Sequence, residues 1–277
     1  MEYRMGGVIL NQKSKLTILV VIYNKFLENI NSISSFMSPH DDLDALYDRN
    51  VIVWDNSTLD THRDRNKYFC IREGYHYLSE KRNCSLSYIY NKVVHANVFD
   101  YIVISDDDTC YDDIYLSQLH AFVKKGYLVA VPQVYSQGRL FSPAKLGVIV
   151  GKHICSVQPG PNHGLIAITS GVIIKKEIFE CHNVKFDENL SLYGIDTDFF
   201  IQISNKSIPL FILDARISHD LSMESKSSAS EPSEIKIFRF DNNKKATLYI
   251  NKKRSVFIFL LTKIYYFLYE NIKGRKF

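Results

Sequence analysis

The sequence predicts an α/β protein, a sheet assembled through helical crossovers and flanked by helices. Three observations predict it. Short apolar runs of strand length alternate with segments of helical periodicity along most of the chain. The first run, Leu16–Ile22, is continuous and rich in β-branched residues, as a strand covered on both faces should be. Two further runs end abruptly in Asp-containing turns, the pattern of strands that hand over to loops at one edge of a sheet.

The elements follow in order. After the first strand a helix is expected across residues 26–37, stopped by Pro39. Residues 40–50 read as an acidic loop. The second strand is Val51–Trp54, ending at Asp55-Asn56-Ser57. Residues 59–82 are charged and give no clear assignment. Leu86, Ile89, Tyr90 and Val93 fall at helical spacing within 85–97. Tyr101–Ile104 is the next strand and runs straight into Ser105-Asp106-Asp107-Asp108-Thr109. An amphipathic helix is expected over 112–125, then a strand from Tyr127 to Val131 closed by Pro132. Residues 133–163 are rich in Gly, Pro and Ser and read as loops and short strands, a common setting for binding. Gly164–Ile174 is strand-like, 195–206 helical, and Leu210–Leu213 a strand leading to His219. The polar, Ser-rich residues 222–233 read as a linker. The organisation expected is one catalytic domain over 1–222 and a tail over 223–277.

Composition narrows the function classes. The chain has 277 residues, 46% of them hydrophobic and 23% charged, enough for a sizeable core. Residues 251–277 hold seven of the 34 Lys and Arg but one of the 30 Asp and Glu, so the rest of the chain is slightly acidic despite the net +4. A nucleic-acid-binding fold spreads basic groups over its surface, and this chain does not. Cys70, Cys84, Cys110, Cys155 and Cys181 are odd in number and form no CxxC pair. With no secretory pattern near Met1, the expected location is a reducing cytoplasm.

The acid cluster carries the chemistry. Adjacent carboxylates at a strand tip repel one another and call for a cation. In open α/β sheets ligands bind beyond the carboxyl ends of strands. Hard divalent metals, Mg²⁺ or Mn²⁺, take oxygen ligands from one or two carboxylates and from substrate phosphates. Asp106 and Asp108 form an Asp-x-Asp pair whose side chains share a direction in extended backbone. The alternative is a solvated turn or a cap for the helix at 112–125. Tyr23-Asn24 and Asp55-Asn56-Ser57 end the neighbouring strands, where a ring can stack on a base and a carboxylate can accept its N–H. A packed Tyr and a turn Asp are the competing readings. Asp196 can act as a base or cap the helix it begins. Ser170-Gly171 can let the backbone approach a sugar or simply form a turn.

The segments LTILVVIYN (16–24), VIVWDNST (51–58), NCSLSYIYN (83–91), YIVISDDDT (101–109), ITSGVII (168–174), FDENLSLYGIDTDF (186–199) and DARISHDLS (214–222) occur in an order that resembles glycosyltransferase family 2. Within it the chain looks most like the rhamnosyltransferase-like bacterial enzymes of O-antigen and capsule synthesis. The resemblance implies a GT-A fold and transfer with inversion from a nucleotide diphosphate sugar to a saccharide acceptor. It implies that Tyr23, Asn24, Asp55, Asn83, Asp106 and Asp107 hold the donor. Asp106 and Asp108 would bind the metal, with His219 as a further ligand, and Asp196 would be the catalytic base. The sequence departs from the family at Ile195, where an acid is usual, and at Asn83–Ser87, where glycine is usual.

Two other classes remain open at this level: a sugar nucleotidyltransferase, which usually needs a Gly-rich phosphate loop that Tyr23–Phe26 lacks, and a non-catalytic sugar- or lipid-binding protein. The tail segment Val256–Tyr269 is apolar and aromatic, broken by Lys263 and flanked by basic residues. It is shorter than the roughly 20 residues that span a bilayer. It fits an interfacial helix on an anionic membrane surface, beside a lipid-linked acceptor, or a terminal helix packed on the domain or a second subunit.

Overall fold

A computed structural model describes residues 13–37, 45–218 and 232–272. The elements run β1 (Ser14–Ile22), a 3₁₀ turn (Leu27–Asn29), α1 (Asn31–Met37), β2 (Tyr47–Asp55), α2 (Asp60–Glu73), β3 (His76–Leu78), α3 (Leu86–Ala96), β4 (Tyr101–Ser105) and α4 (Asp113–Lys125). Then come β5 (Val129–Ser136), β6 (Arg139–Ser142), β7 (Ala144–Lys145), β8 (Gly160–Asn162), β9 (Leu165–Ile166), β10 (Val172–Lys175), α5 (Glu177–Glu180), α6 (Ile195–Asn205), β11 (Leu210–Ser218), α7 (Ser233–Arg254) and α8 (Val256–Ile272).

Among the described residues the main sheet has nine strands in the order β3-β2-β1-β4-β10-β5-β11-β8, with β6 added to β5. β1, β2, β3 and β4 are mutually parallel, and β10 alone runs against both its neighbours, β4 and β5. Side chains of β1 alternate between two cores. Leu19 points with Trp54, Ile89, Tyr90 and Phe199 to one face, while Ile18, Val20 and Ile22 point with Val53, Tyr115 and Phe122 to the other. Both faces are covered, which is why the run was apolar without alternation.

Several elements depart from expectation. The helix expected over 26–37 begins as the 3₁₀ turn and becomes α-helical at Asn31. The unassigned stretch 59–82 contains α2 and β3. Helix α2 buries Arg63, Asn66 and Cys70 rather than an apolar stripe, so it shows no periodic signal. β5 does not stop at Pro132 but continues to Ser136. Its register with β11 shifts between the pairs Ile212–Val131 and Arg216–Gln133, and Pro132 sits in that irregularity. A missing N–H costs nothing where the ladder is already broken. Gln133 donates its amide to the Leu213 carbonyl, 3.2 Å away, across the gap. Residues 164–174 form two short strands around a turn, not one strand. The charged stretch after Pro232 is the long helix α7. His219 and most of the expected Ser-rich linker lie outside the described residues.

Candidate active site

The registers of the parallel strands assemble the site. Ile22 is opposite Asp55 and Val20 opposite Ser105, so β1, β2 and β4 end at one edge. The loops after them, Tyr23–Lys25, Asn56–Thr58 and Asp106–Thr109, therefore emerge side by side. They line a cleft of about 520 Å³ together with Asn83–Leu86, Tyr90, Ser191 and Leu192.

Of the residues expected to bind a donor, Tyr23, Asn83, Asp106 and Asp107 line this cleft, as does Asp108. The Tyr23 ring is 47% exposed, open for stacking. Asn83 accepts a hydrogen bond from the Asn56 amide at 2.7 Å. Asn56 is buried and also accepts from the Cys84 N–H at 2.7 Å and donates to the Cys84 carbonyl at 2.9 Å. It thus ties the β2 edge to the loop that precedes α3. Ser85 caps α3 by accepting from the Tyr88 N–H.

Asn24 and Asp55 sit behind the lining. Asn24 has a left-handed backbone, φ 49°. Its N–H donates to the Ser57 hydroxyl oxygen at 2.9 Å and its side-chain oxygen accepts from the Thr58 N–H at 3.2 Å, cross-linking two loops. Asp55 is fully buried. Its carboxylate accepts from the Ser57 N–H at 3.0 Å, the Asn66 amide at 2.8 Å and the Tyr77 hydroxyl at 3.2 Å.

The acid cluster does not cap the helix that follows. That task falls to Asp112, whose side chain accepts from the Tyr115 N–H at 2.8 Å. Asp106 and Asp107 are half-buried and Asp108 exposed. Lys25, unremarked in the sequence, donates to Asp107 at 2.8 Å. Thr109 is buried and hydrogen-bonds Ser170 at 3.0 Å, joining the cluster to the segment before β10. Ser170-Gly171 is a turn: the Val172 N–H bonds to the Thr169 carbonyl at 3.0 Å, and Gly171 has φ +72°. A Cβ on Gly171 would meet the Tyr111 ring at 2.9 Å, so packing requires glycine there.

Asp196 stands in the first turn of α6. The N-cap of that helix is Gly194, φ 77°, and no side chain caps it. The Asp196 carboxylate instead accepts from the Thr169 hydroxyl at 3.1 Å. Burial, reinforced by the charge of Asp106 and partly opposed by Thr169, raises its carboxyl to about 7. The same two acids act on Tyr90. Burial first, then Asp106 and Asp196, push its hydroxyl well above the ordinary range. Tyr90 and Thr169, which the sequence offered only as packing and turn residues, thus stand where the β4 acids and the α6 acid meet. Through-space contacts of this kind leave no mark in local periodicity. Asp198 is elsewhere: almost fully buried, it accepts from Lys253 at 2.7 Å and Gln202 at 2.8 Å.

The donor chemistry suits a hard divalent cation. Asp106 and Asp108 offer carboxylate oxygens at the cleft, and such an ion completes its shell with phosphate and water. Among the described residues no group of three His, Cys, Asp or Glu side chains gathers as a ready cage.

The family model described as glycosyl transferase family 2 matches residues 17–182, more than half of the chain. The chain belongs to this family. The matched span holds the first three loops of the cleft and ends before Asp196. No curated protein matches the chain by sequence. Solved structures of like fold include TarS of S. aureus, at 14% identity and a TM-score of 0.54, with 86% of this chain and 39% of that one covered. TarS 1-349 in complex with UDP matches at 15% identity and a TM-score of 0.52, covering 86% and 65%. GalNAc-T7 with UDP, GalNAc and Mn²⁺ matches at 13% identity and a TM-score of 0.56, covering 75% and 44%. This family 2 chain therefore spans less than half the length of TarS or of GalNAc-T7. Its mixed sheet, parallel except at β10 and β8 and the added β6, is the GT-A fold.

Proposed function

We propose that this protein transfers a sugar, with inversion, from a nucleoside diphosphate donor to a hydroxyl of a saccharide acceptor. The observation that carries the reading is the approach of two acids from separate elements: Asp106, which lines the cleft at the tip of β4, lies close enough to act on Asp196 at the start of α6. Membership of family 2 supports it, as do structures of like fold that hold UDP and, in one case, Mn²⁺.

In this reading Tyr23 stacks on the base and Asp55 takes part in its recognition from below. Asn83, Asp106 and Asp107 hold the ribose and diphosphate side, with Asn24 bracing the loops that carry them. Asp106 and Asp108 hold Mg²⁺ or Mn²⁺, and His219 is the proposed further ligand. When bound, the cation supplies positive charge against the departing diphosphate. Asp196 takes the proton from the attacking acceptor hydroxyl on the opposite face of the sugar. An acid whose pKa lies near neutrality suits that role, because it is ionised yet still basic. Thr169 fixes the carboxylate that performs it.

Residues 1–222 carry the transfer chemistry, and 223–277 attach it to an anionic cytoplasmic membrane surface that presents a lipid-linked acceptor in bacterial surface polysaccharide synthesis. Helix α8 supports that role. Val256, Phe257, Leu260, Ile264, Phe267 and Ile272 are all about half exposed or more, while Thr262 and Tyr266 face α7. Among the described residues no helix is long and apolar enough to cross a membrane.

The deciding experiment is a donor panel of UDP-, dTDP- and GDP-sugars with and without Mg²⁺ or Mn²⁺, reading nucleoside diphosphate release. Metal-dependent release from at least one donor, increased by a saccharide acceptor, is expected. No release from any member overturns the reading. For the membrane role, Phe257→Ser, Leu260→Ser and Phe267→Ser together should abolish flotation with vesicles containing phosphatidylglycerol. Equal flotation of variant and wild type contradicts it.

A further inference from the structure

Helix α7 meets the candidate active site from behind. Gly194, the N-cap of α6, has no room for a side chain because Ile250 and Ala246 of α7 press on it: a Cβ would stand 2.8 Å from Ile250 and 3.1 Å from Ala246. One turn further along α7, Lys253 reaches two carboxylates at once. Its ammonium lies 2.6 Å from Asp187 and 2.7 Å from Asp198.

These two acids belong to the two segments that shape the cleft on this side. Asp198 is in the first turn of α6, two residues after Asp196. Asp187 opens the loop that supplies Ser191 and Leu192 to the cleft wall. The Asp187 carboxylate also accepts from the Asn189 N–H at 3.0 Å and the Tyr249 hydroxyl at 3.0 Å. The loop is held from its other side as well, where the Ser87 hydroxyl donates to the Leu190 carbonyl at 2.6 Å. The Asp198 side chain is 3% exposed, and that of Asp187 15%. A buried carboxylate needs its partner: removing one member of such a pair leaves a charge without compensation.

We propose that Lys253 is a positioning residue for sugar transfer, a cationic pin that fixes the first turn of α6, and with it Asp196, against the 187–193 loop. It touches neither donor nor acceptor. Residues two apart on a helix point about 200° away from each other. Asp198 can therefore be gripped from behind while Asp196 points the other way, toward Thr169. The proposal rests on Asp196 being the base and extends the functional unit past residue 222 into α7.

The consequence is kinetic. A displaced Asp196 lowers the rate of transfer while the donor loops on β1, β2 and β4 stay intact. Misplacement by about 1 Å costs on the order of 10²-fold in rate. The test compares wild type with Lys253→Met, Lys253→Arg, the double variant Lys253→Met/Asp198→Asn and Asp196→Asn, all as full chains. Turnover is followed with the donor that the panel identifies, and nucleotide affinity by calorimetry with the matching free diphosphate and MnCl₂. Lys253→Met should lose about ten- to a hundredfold in kcat with donor KM and diphosphate affinity within about twofold of wild type. Lys253→Arg should recover most of that loss. The double variant removes the buried charge together with its partner, so it stays folded and should keep the kcat defect. Wild-type kcat in the double variant, or a parallel collapse of kcat and diphosphate affinity, overturns the proposal. Asp196→Asn separates this outcome from the functional reading. If Asp196→Asn is inactive while the Lys253 variants turn over normally, the pin fails and the base stands; if Asp196→Asn is active, the base itself fails.

Discussion

Asp196 and Asp198 share a helical turn, a residue type and a neighbourhood in the sequence, yet the fold treats them oppositely. Asp198 is sunk against α7 and given an ammonium and an amide to bind. Asp196 faces another acid and, among the described residues, is given only Thr169. One carboxylate is paired with a cation; the other is held close to the point where it exchanges its proton at neutral pH. Structural ion pairs and poised acids are both common in proteins, but they demand opposite surroundings. The pair shows how a single turn can supply one of each, because a step of two residues rotates the side chain almost to the other side of the helix.

The largest expected effect separates them directly. Asp196→Asn should lower turnover by about 10²–10⁴-fold, the usual contribution of a general base, with nucleotide affinity unchanged. Asp198→Asn should cost less than about tenfold, since its amide oxygen can still accept from Lys253 and hold the turn. Steady-state rates with the identified donor check both. A larger loss at Asp198 than at Asp196 would reverse the assignment.

The next effect is pH dependence. Asp196 must be ionised to accept a proton, and its carboxyl sits at about 7 rather than near 4. Activity should therefore fall as pH drops through about 7, tending toward tenfold per unit on the acid side. The profile of kcat/KM reports the free enzyme. A flat profile between pH 5.5 and 7.5 would mean that the proton goes to some other group.

A third, smaller effect concerns the back of the turn. Gly194 combines φ 77° with a Cβ position 2.8 Å from Ile250. Gly194→Ala should destabilise the protein by about 1–3 kcal/mol, as a side chain in a left-handed, crowded position does. Thermal unfolding checks it, and an unchanged midpoint would show that α7 yields easily and is no firm support for α6.

How much of this was readable beforehand follows from the kind of signal each part leaves. β1, β2 and β4 are apolar and continuous, so the strands and the loops at their ends, with Tyr23, Asp55 and Asp106–Asp108, stood out. α3 and α4 showed clean periodicity. Helix α2 did not, because Arg63 and Asn66 take inward positions normally held by apolar residues. Pro132 read as a strand end because a single sequence does not reveal a broken ladder. Asn56, Tyr90 and Thr169 make their contacts at the site with partners distant along the chain. Helix α7 read as part of the tail, since in its 22 residues the buried ones are Ala246, Ile250 and Asn251, too few to make an apolar stripe. Its tie to Asp198 lies between residues 55 apart, invisible to any local pattern.

The smallest effect sharpens the comparison most, because it tests cost rather than use. A carboxyl whose pKa is raised in the folded state binds its proton more tightly there than in the unfolded chain, where it titrates near 3.8. Its contribution to stability is fully present below the unfolded value and is lost as pH rises through about 7. Above that pH the folded protein carries a charge in surroundings that disfavour it. Asp196→Asn removes the charge while keeping an oxygen for Thr169. The variant should therefore melt at or slightly above the wild-type temperature at pH 8, and the advantage should shrink toward pH 5. Asp198→Asn should behave in the opposite sense, losing stability at pH 8 because Lys253 gives up a buried partner. Unfolding curves for the two variants at both pH values settle the matter: if Asp196→Asn proves the less stable of the two at pH 8, Asp196 is a structural acid and the strain read into its position is not there.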